Sequence, residues 1–138
     1  MASTVYPIYH SGDMVGKYDL TSGNVWVMLV SGYSYSSSHQ HVSDVSANEV
    51  PTAGTNYSRV TLANPTVFLT GVTGVFDADD VTWANSTIDS NGAILFYSGS
   101  GGTDATNDLI AHFGFNQAQS NNGNFTLQWS ASGILRRS

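Results

Sequence analysis

The chain has no cysteine and little charge of either sign. Without cysteine there are no disulfides and no thiolate metal sites, which excludes a disulfide-stapled secreted scaffold. Charged residues make up 10% of the chain, against about 25% in ordinary domains. Four are basic and ten acidic, so no basic stripe exists to meet phosphates, and nucleic-acid binding is not expected. The longest apolar run, Val25–Val30, is far too short to span a membrane. The opening "MASTVYPIYH" lacks a basic region followed by an apolar one, so no secretory signal is expected. Lys, Glu and Arg are scarce and Leu is not abundant, and helix signals are correspondingly weak.

What is present is polar but uncharged. Ser, Thr, Asn and Gly supply about two residues in five, so the solvated faces must be hydroxyls and amides. Val, Ile, Thr, Tyr, Phe and Trp are plentiful, and they suit pleated, half-buried surfaces. Short apolar runs alternate with Gly/Ser/Asn/Asp punctuation, the pattern of a sandwich or barrel. The 138 residues fit one domain, which at this size buries roughly two-thirds of its unfolded surface. The spacing predicts strands over Val5–His10, Asn24–Val30, Tyr57–Leu62, Thr66–Thr70, Val81–Trp83, Ala93–Tyr97, Leu109–Phe115 and Asn124–Trp129. "NVWVMLV" is apolar on both faces and reads as a central strand, whereas "NFTLQWS" alternates, setting Phe125, Leu127 and Trp129 on one side. One short helix or turn is expected over Val42–Val50, with Ser43 or Asp44 as N-cap and Pro51 as stop. "SYSSSHQH" (34–41) and "SGSGGTDATND" (98–108) read as long surface loops.

Several clusters invite a chemical reading. Asp77, Asp79 and Asp80 crowd four residues, but no Gly or Glu stands where an EF-hand needs them. Asx-type turn bonds leading into a strand are the simpler account, with a looser calcium site as the alternative. His39 and His41 lie two apart with Asp44 close by, short of the three or four ligands that zinc wants. There is no nucleophile elbow, phosphate loop or dinucleotide fingerprint, and no enzyme, cofactor or metal is expected. "VTLANPTV" (60–67) and "VTWANSTI" (81–88) echo one another and read as two strand-to-turn corners that share one local solution. Trp26, Trp83 and Trp129 are expected in the core, with Tyr33 and Tyr35 as the better exposed aromatics for stacking on a sugar.

The stretches "VWVMLVSGYS", "SDVSANEV", "VTLAN", "VFDADDVTWANSTI", "GAILFY", "LIAHFGF" and "NNGNFTLQWSASGIL", in this order, resemble a family of small tailed-bacteriophage virion proteins encoded among the head genes, whose members resemble head decoration, or cement, proteins. The resemblance runs from about Val25 to Leu135, and "FDADDVTWANSTI" and "FTLQW…GIL" are its most specific parts. "SYSSSHQH" is more serine-rich than the family pattern, and "LIAHFGF" lacks an acidic residue near its Phe-Gly. The resemblance brings no catalytic residues.

The expectation is therefore an all-β, single-domain, jelly-roll-like β-sandwich over residues 1–138, with at most one short helix and residues 1–10 as an extended N-terminal arm. The resemblance implies a protein made in the host cytoplasm that sits on the outer head surface of the virion, binds the major capsid protein and stabilises the lattice, with a homo-trimer favoured by threefold symmetry. The alternative is a tail-fibre or receptor-binding domain for host glycans. The residues expected to touch capsid or a neighbouring subunit are Tyr6, Ile8 and Tyr9, beside Pro7, and Arg136 and Arg137, which follow the apolar "GIL".

Overall fold

In the computed structural model, residues 1–138 are described throughout, the side chain of Ala2 excepted. The strands are β1 (Ala2–Val5), β2 (Val25–Val30), β3 (Val60–Thr61), β4 (Thr66–Thr70), β5 (Thr73–Asp77), β6 (Val81–Ser86), β7 (Asp89–Tyr97), β8 (Asp108–Gln119), β9 (Gly123–Leu127) and β10 (Leu135–Arg137); one α-helix, α1, covers Pro7–Met14. Every pairing between them is antiparallel. The fold is an all-β sandwich with one short helix. A five-stranded sheet runs β1-β8-β7-β2-β3, and facing it are a three-stranded sheet, β10-β5-β4, and the pair β6-β9.

The alternation along the central strands shows why the large sheet is covered on both sides. Val25, Val27 and Leu29 of β2, with Ala93 and Leu95 of β7, face the small sheets and meet Phe76, Trp83, Phe125, Leu127 and Trp129. Met28, Val30, Ile94 and Phe96 face the other way and are covered by Tyr6, Tyr33, Val42 and Val45. Apart from Tyr6, which sits between β1 and α1, that second cover is a long crossover after β2 whose regular pieces are two 3-10 turns, Val42–Asp44 and Ser46–Asn48. A turn was expected there, but its cap differs: His41 occupies the N-cap position, and Asp44 reaches back to accept the N–H groups of Gln40 and His41 at 2.9 and 3.1 Å.

The N-terminal segment departs most from the sequence reading. Residues 1–10, expected as an extended arm with a strand over Val5–His10, instead join the large sheet as β1, paired to β8 from Ala2↔Gly114 to Val5↔Ala111, and then turn into α1. Pro7 takes the first helical position, where its missing N–H costs nothing and its fixed φ suits the helix. Gly12 is what lets α1 seat on the body, because a Cβ there would stand 2.5 Å from a ring carbon of Tyr18. The sequence echo is met in part: the first copy leaves β3 for a turn, whereas the second stays within β6, where Asn85 lies in a break of register between Trp83 and Ser86. Asn64 and Asn85, at equivalent places in the two copies, both adopt left-handed backbone, with φ of 52° each. No helix among the described residues is long and apolar enough to cross a membrane.

Candidate functional site

A cavity of about 780 Å³ forms a groove where the two chain ends meet. Helix α1 supplies Tyr9, His10 and Asp13 to one wall, β10 supplies Arg136 and Arg137 to another, and Phe113, Phe76 and Trp129 line it from the core. The side chains at its rim hold one another. The Arg137 guanidinium donates to the Asp13 carboxylate, and its carbon lies 5.8 Å from the centre of the Tyr9 ring. Tyr9 in turn stacks on Tyr18 at 5.2 Å and 18°. Asp13 raises the Arg137 pKa by taking its hydrogen bond. Burial, and next the Asp13 charge, raise that of the Tyr9 hydroxyl. Arg136 is exposed and donates to the Ser132 carbonyl at 3.0 Å. The arrangement offers an apolar trough with one guanidinium held in place and one presented to solvent. A docked chain segment with an apolar side and an acceptor group would match it.

Of the five residues expected to make contacts, Tyr9, Arg136 and Arg137 come together on this groove. Tyr6 does not: it is fully buried against the opposite face of the large sheet, where its hydroxyl meets that of Tyr33 at 2.9 Å. Ile8 is half-buried against the same cluster. A strand would have put Tyr6 and Ile8 on one face and Tyr9 on the other; the turn into α1 sends Tyr9 to the groove and the other two elsewhere.

Beside the groove stands the β4–β5 hairpin, whose Val67 reaches the groove wall. It exposes Val67 by 57%, Phe68 by 46%, Leu69 by 76% and Val72 by 89%. Strand β4 was read from the sequence, but its exposure was not. The available signal was a run from Pro65 to Phe76 with no charged residue at all. His10 and Asp13 reach the groove only because α1 replaces the strand that the sequence predicts over Val5–His10.

The acidic run resolves into separate tasks. Asp77 accepts the Ala78 N–H at 2.9 Å, Asp79 accepts from the Asn64 amide at 2.6 Å, and Asp80 accepts the Trp129 N–H at 2.9 Å. The Trp129 indole donates to the Asp79 carbonyl at 3.1 Å. The run is thus a corner that ties β6 to the segment after β9. Among the described residues no three His, Asp or Glu side chains converge as metal ligands.

The two loop histidines diverge as well. His39 Nδ1 lies 2.6 Å from the Tyr33 hydroxyl, and His41 Nε2 lies 3.2 Å from Asp108 Oδ1. Asp108, 3% exposed, also accepts from Lys17 and from the Tyr18 hydroxyl at 2.7 Å. Burial, and next that hydrogen bond, raise the Tyr18 pKa. Tyr33 is buried, and Tyr35 is half-buried with its hydroxyl on the Val5 carbonyl at 3.2 Å, so neither ring presents the stacking face that its sequence position implied. Trp83 and Trp129 are core as expected, while Trp26 is half-buried beside Phe96.

No protein-family model, curated protein or solved structure matches the chain.

Proposed function

We propose that this chain is a head-surface protein of a tailed bacteriophage, a decoration or cement protein that adheres to the major capsid protein and strengthens the lattice. The observation that carries the reading is the groove in which Tyr9, Arg136 and Arg137 meet over an apolar floor. It is a docking surface made from the residue types that dominate binding hot spots. The low charge of the chain fits the same use, since the centres of interfaces are depleted of charge. The family resemblance of the sequence supplies the identity of the partner. The mechanism is adhesive: a protein that binds the assembled lattice and not the separated subunits stabilises assembly by its binding free energy.

The test is co-sedimentation with heads assembled without this protein. The intact chain should pellet with the heads. Replacing both Arg136→Ala and Arg137→Ala should weaken binding at least about tenfold, or about 1.4 kcal/mol, with the circular dichroism spectrum unchanged. Arg137 is mostly exposed but Asp13 is half-buried and their pair helps seat α1, so the Arg136→Ala single variant, which removes only a bond to the Ser132 carbonyl, serves as the control for any loss of helix packing. Failure of the intact protein to pellet with heads refutes the reading. Full binding by the double variant would remove the groove from it.

A further inference from the structure

Strand β4 is an open edge. It pairs with β5 in unbroken register, from Thr66↔Asp77 to Thr70↔Thr73, and its outer side meets no further strand. Natural edges are usually guarded by lysine, an inward charge or a bulge. This one has none of these, and only Pro65 stands before it. Its sequence, Thr66-Val67-Phe68-Leu69-Thr70, is a chemical palindrome: Thr, aliphatic, Phe, aliphatic, Thr.

We infer that β4 is the contact through which two copies of this chain pair edge to edge about a twofold axis at Phe68. Antiparallel self-pairing centred there sets Phe68 opposite Phe68 of the partner subunit, Val67 opposite Leu69 of the partner subunit, and threonine opposite threonine at both ends. Apolar residues thus meet apolar residues on both faces of the ladder, and the three-stranded sheet becomes six-stranded. A twofold contact demands this self-complementarity, and a strand meeting an unrelated partner has no need of it. Electrostatics point the same way. Each copy carries a formal net charge of -6, so copies repel, and the uncharged stretch Pro65–Phe76 is where they approach at least cost. The inference stands apart from the head-surface reading, and it is an alternative to a threefold association.

Sedimentation velocity of the intact protein from about 1 to 200 μM, spanning ordinary micromolar affinities, should show a monomer–dimer equilibrium. Phe68→Lys places like charges directly across the axis and should leave a monomer, and Phe68→Glu should do the same. Mixing the two variants should restore the dimer, which a general loss of stickiness would not do. Leu69→Lys, at a more exposed position, should also give a monomer with an unchanged melting temperature, and it keeps the test valid if Phe68 variants fold poorly. A wild-type monomer at 200 μM, a trimer, a dimer that survives Leu69→Lys, or well-folded Phe68 variants that stay apart on mixing would each overturn the inference. Head co-sedimentation is read separately, so its failure leaves this result standing.

Discussion

Trp129 is the residue at which the fold's main argument is most exposed to measurement. It is 5% accessible, its ring meets Phe113 edge-on at 5.2 Å, and its indole and backbone N–H groups go to Asp79 and Asp80. Trp129→Ala removes a large buried side chain and leaves a void where the small sheets meet the large one. Such truncations cost about 3–5 kcal/mol. Against a total stability of roughly 5–15 kcal/mol for a single domain, that is about a fifth or more. At about 4 °C per kcal/mol for a chain this long, the midpoint of thermal unfolding should fall by roughly 12–20 °C. Trp129→Phe separates packing from hydrogen bonding, because it keeps an aromatic ring against Phe113 and strips the donor from the Asp79 carbonyl. It should lose about 1–3 kcal/mol. Urea unfolding followed by circular dichroism gives both numbers, and an unchanged slope would confirm that the unfolded state is not what moved. A loss below about 1 kcal/mol for Trp129→Ala would place the side chain outside the load of the core and refute the packing described here.

Two further outcomes follow. His112 is half-buried with the Tyr33 ring edge-on at 5.1 Å, and burial holds its pKa below the ordinary imidazole range. The unfolded chain therefore takes up this proton first, so stability should be full above about pH 6.5 and fall as pH drops through the unfolded value toward the folded one. A second fall should begin below about 3.8, as Asp104, held low by Arg59, and Asp44, held low by the N–H groups of Gln40 and His41, are protonated. His112→Gln should abolish the upper step in a plot of melting temperature against pH, and a melting temperature that rises on acidification from pH 7 to 5 would contradict the assignment. Because each carboxylate of the acidic run is engaged by a different donor, EDTA should leave the melting temperature unchanged within about 1 °C, whereas a calcium-dependent rise of several degrees would reveal a bound ion.

Strands whose side chains alternate and whose burial agrees with that alternation were legible before the structure. Phe125, Leu127 and Trp129 are all buried while Thr126 and Gln128 are exposed, and β2 is covered on both faces, as its unbroken apolar run implied. The shared left-handed backbone at Asn64 and Asn85 was legible in the echo, since asparagine tolerates it, but not that Asn85 would lie inside β6. Helix α1 was not legible. Its residues have strand-like composition, Tyr6 offers no side-chain cap, and what fixes it is tertiary: Gly12 packed against Tyr18, and Asp13 held by Arg137. Strand β5 was hidden as well, because the glycines in "TGVTGVF" read as punctuation while pairing with β4 and β10 makes the segment extended. The groove suffered from both omissions. In the sequence Tyr9, Arg136 and Arg137 stand only at opposite ends of the chain, and the fold of both ends onto one another makes them a single site.

The pairing of Lys17 with Asp108 has a practical side. Lys17 is the only lysine in the chain, so amine-reactive dyes and cross-linkers find one ε-ammonium besides the α-amino group. Acylating it would remove the positive charge that faces a carboxylate 3% exposed, leaving the Tyr18 hydroxyl and the His41 ring as its remaining partners. A label placed there reports on the joint between the segment after α1 and the start of β8, and it is no neutral handle on the surface.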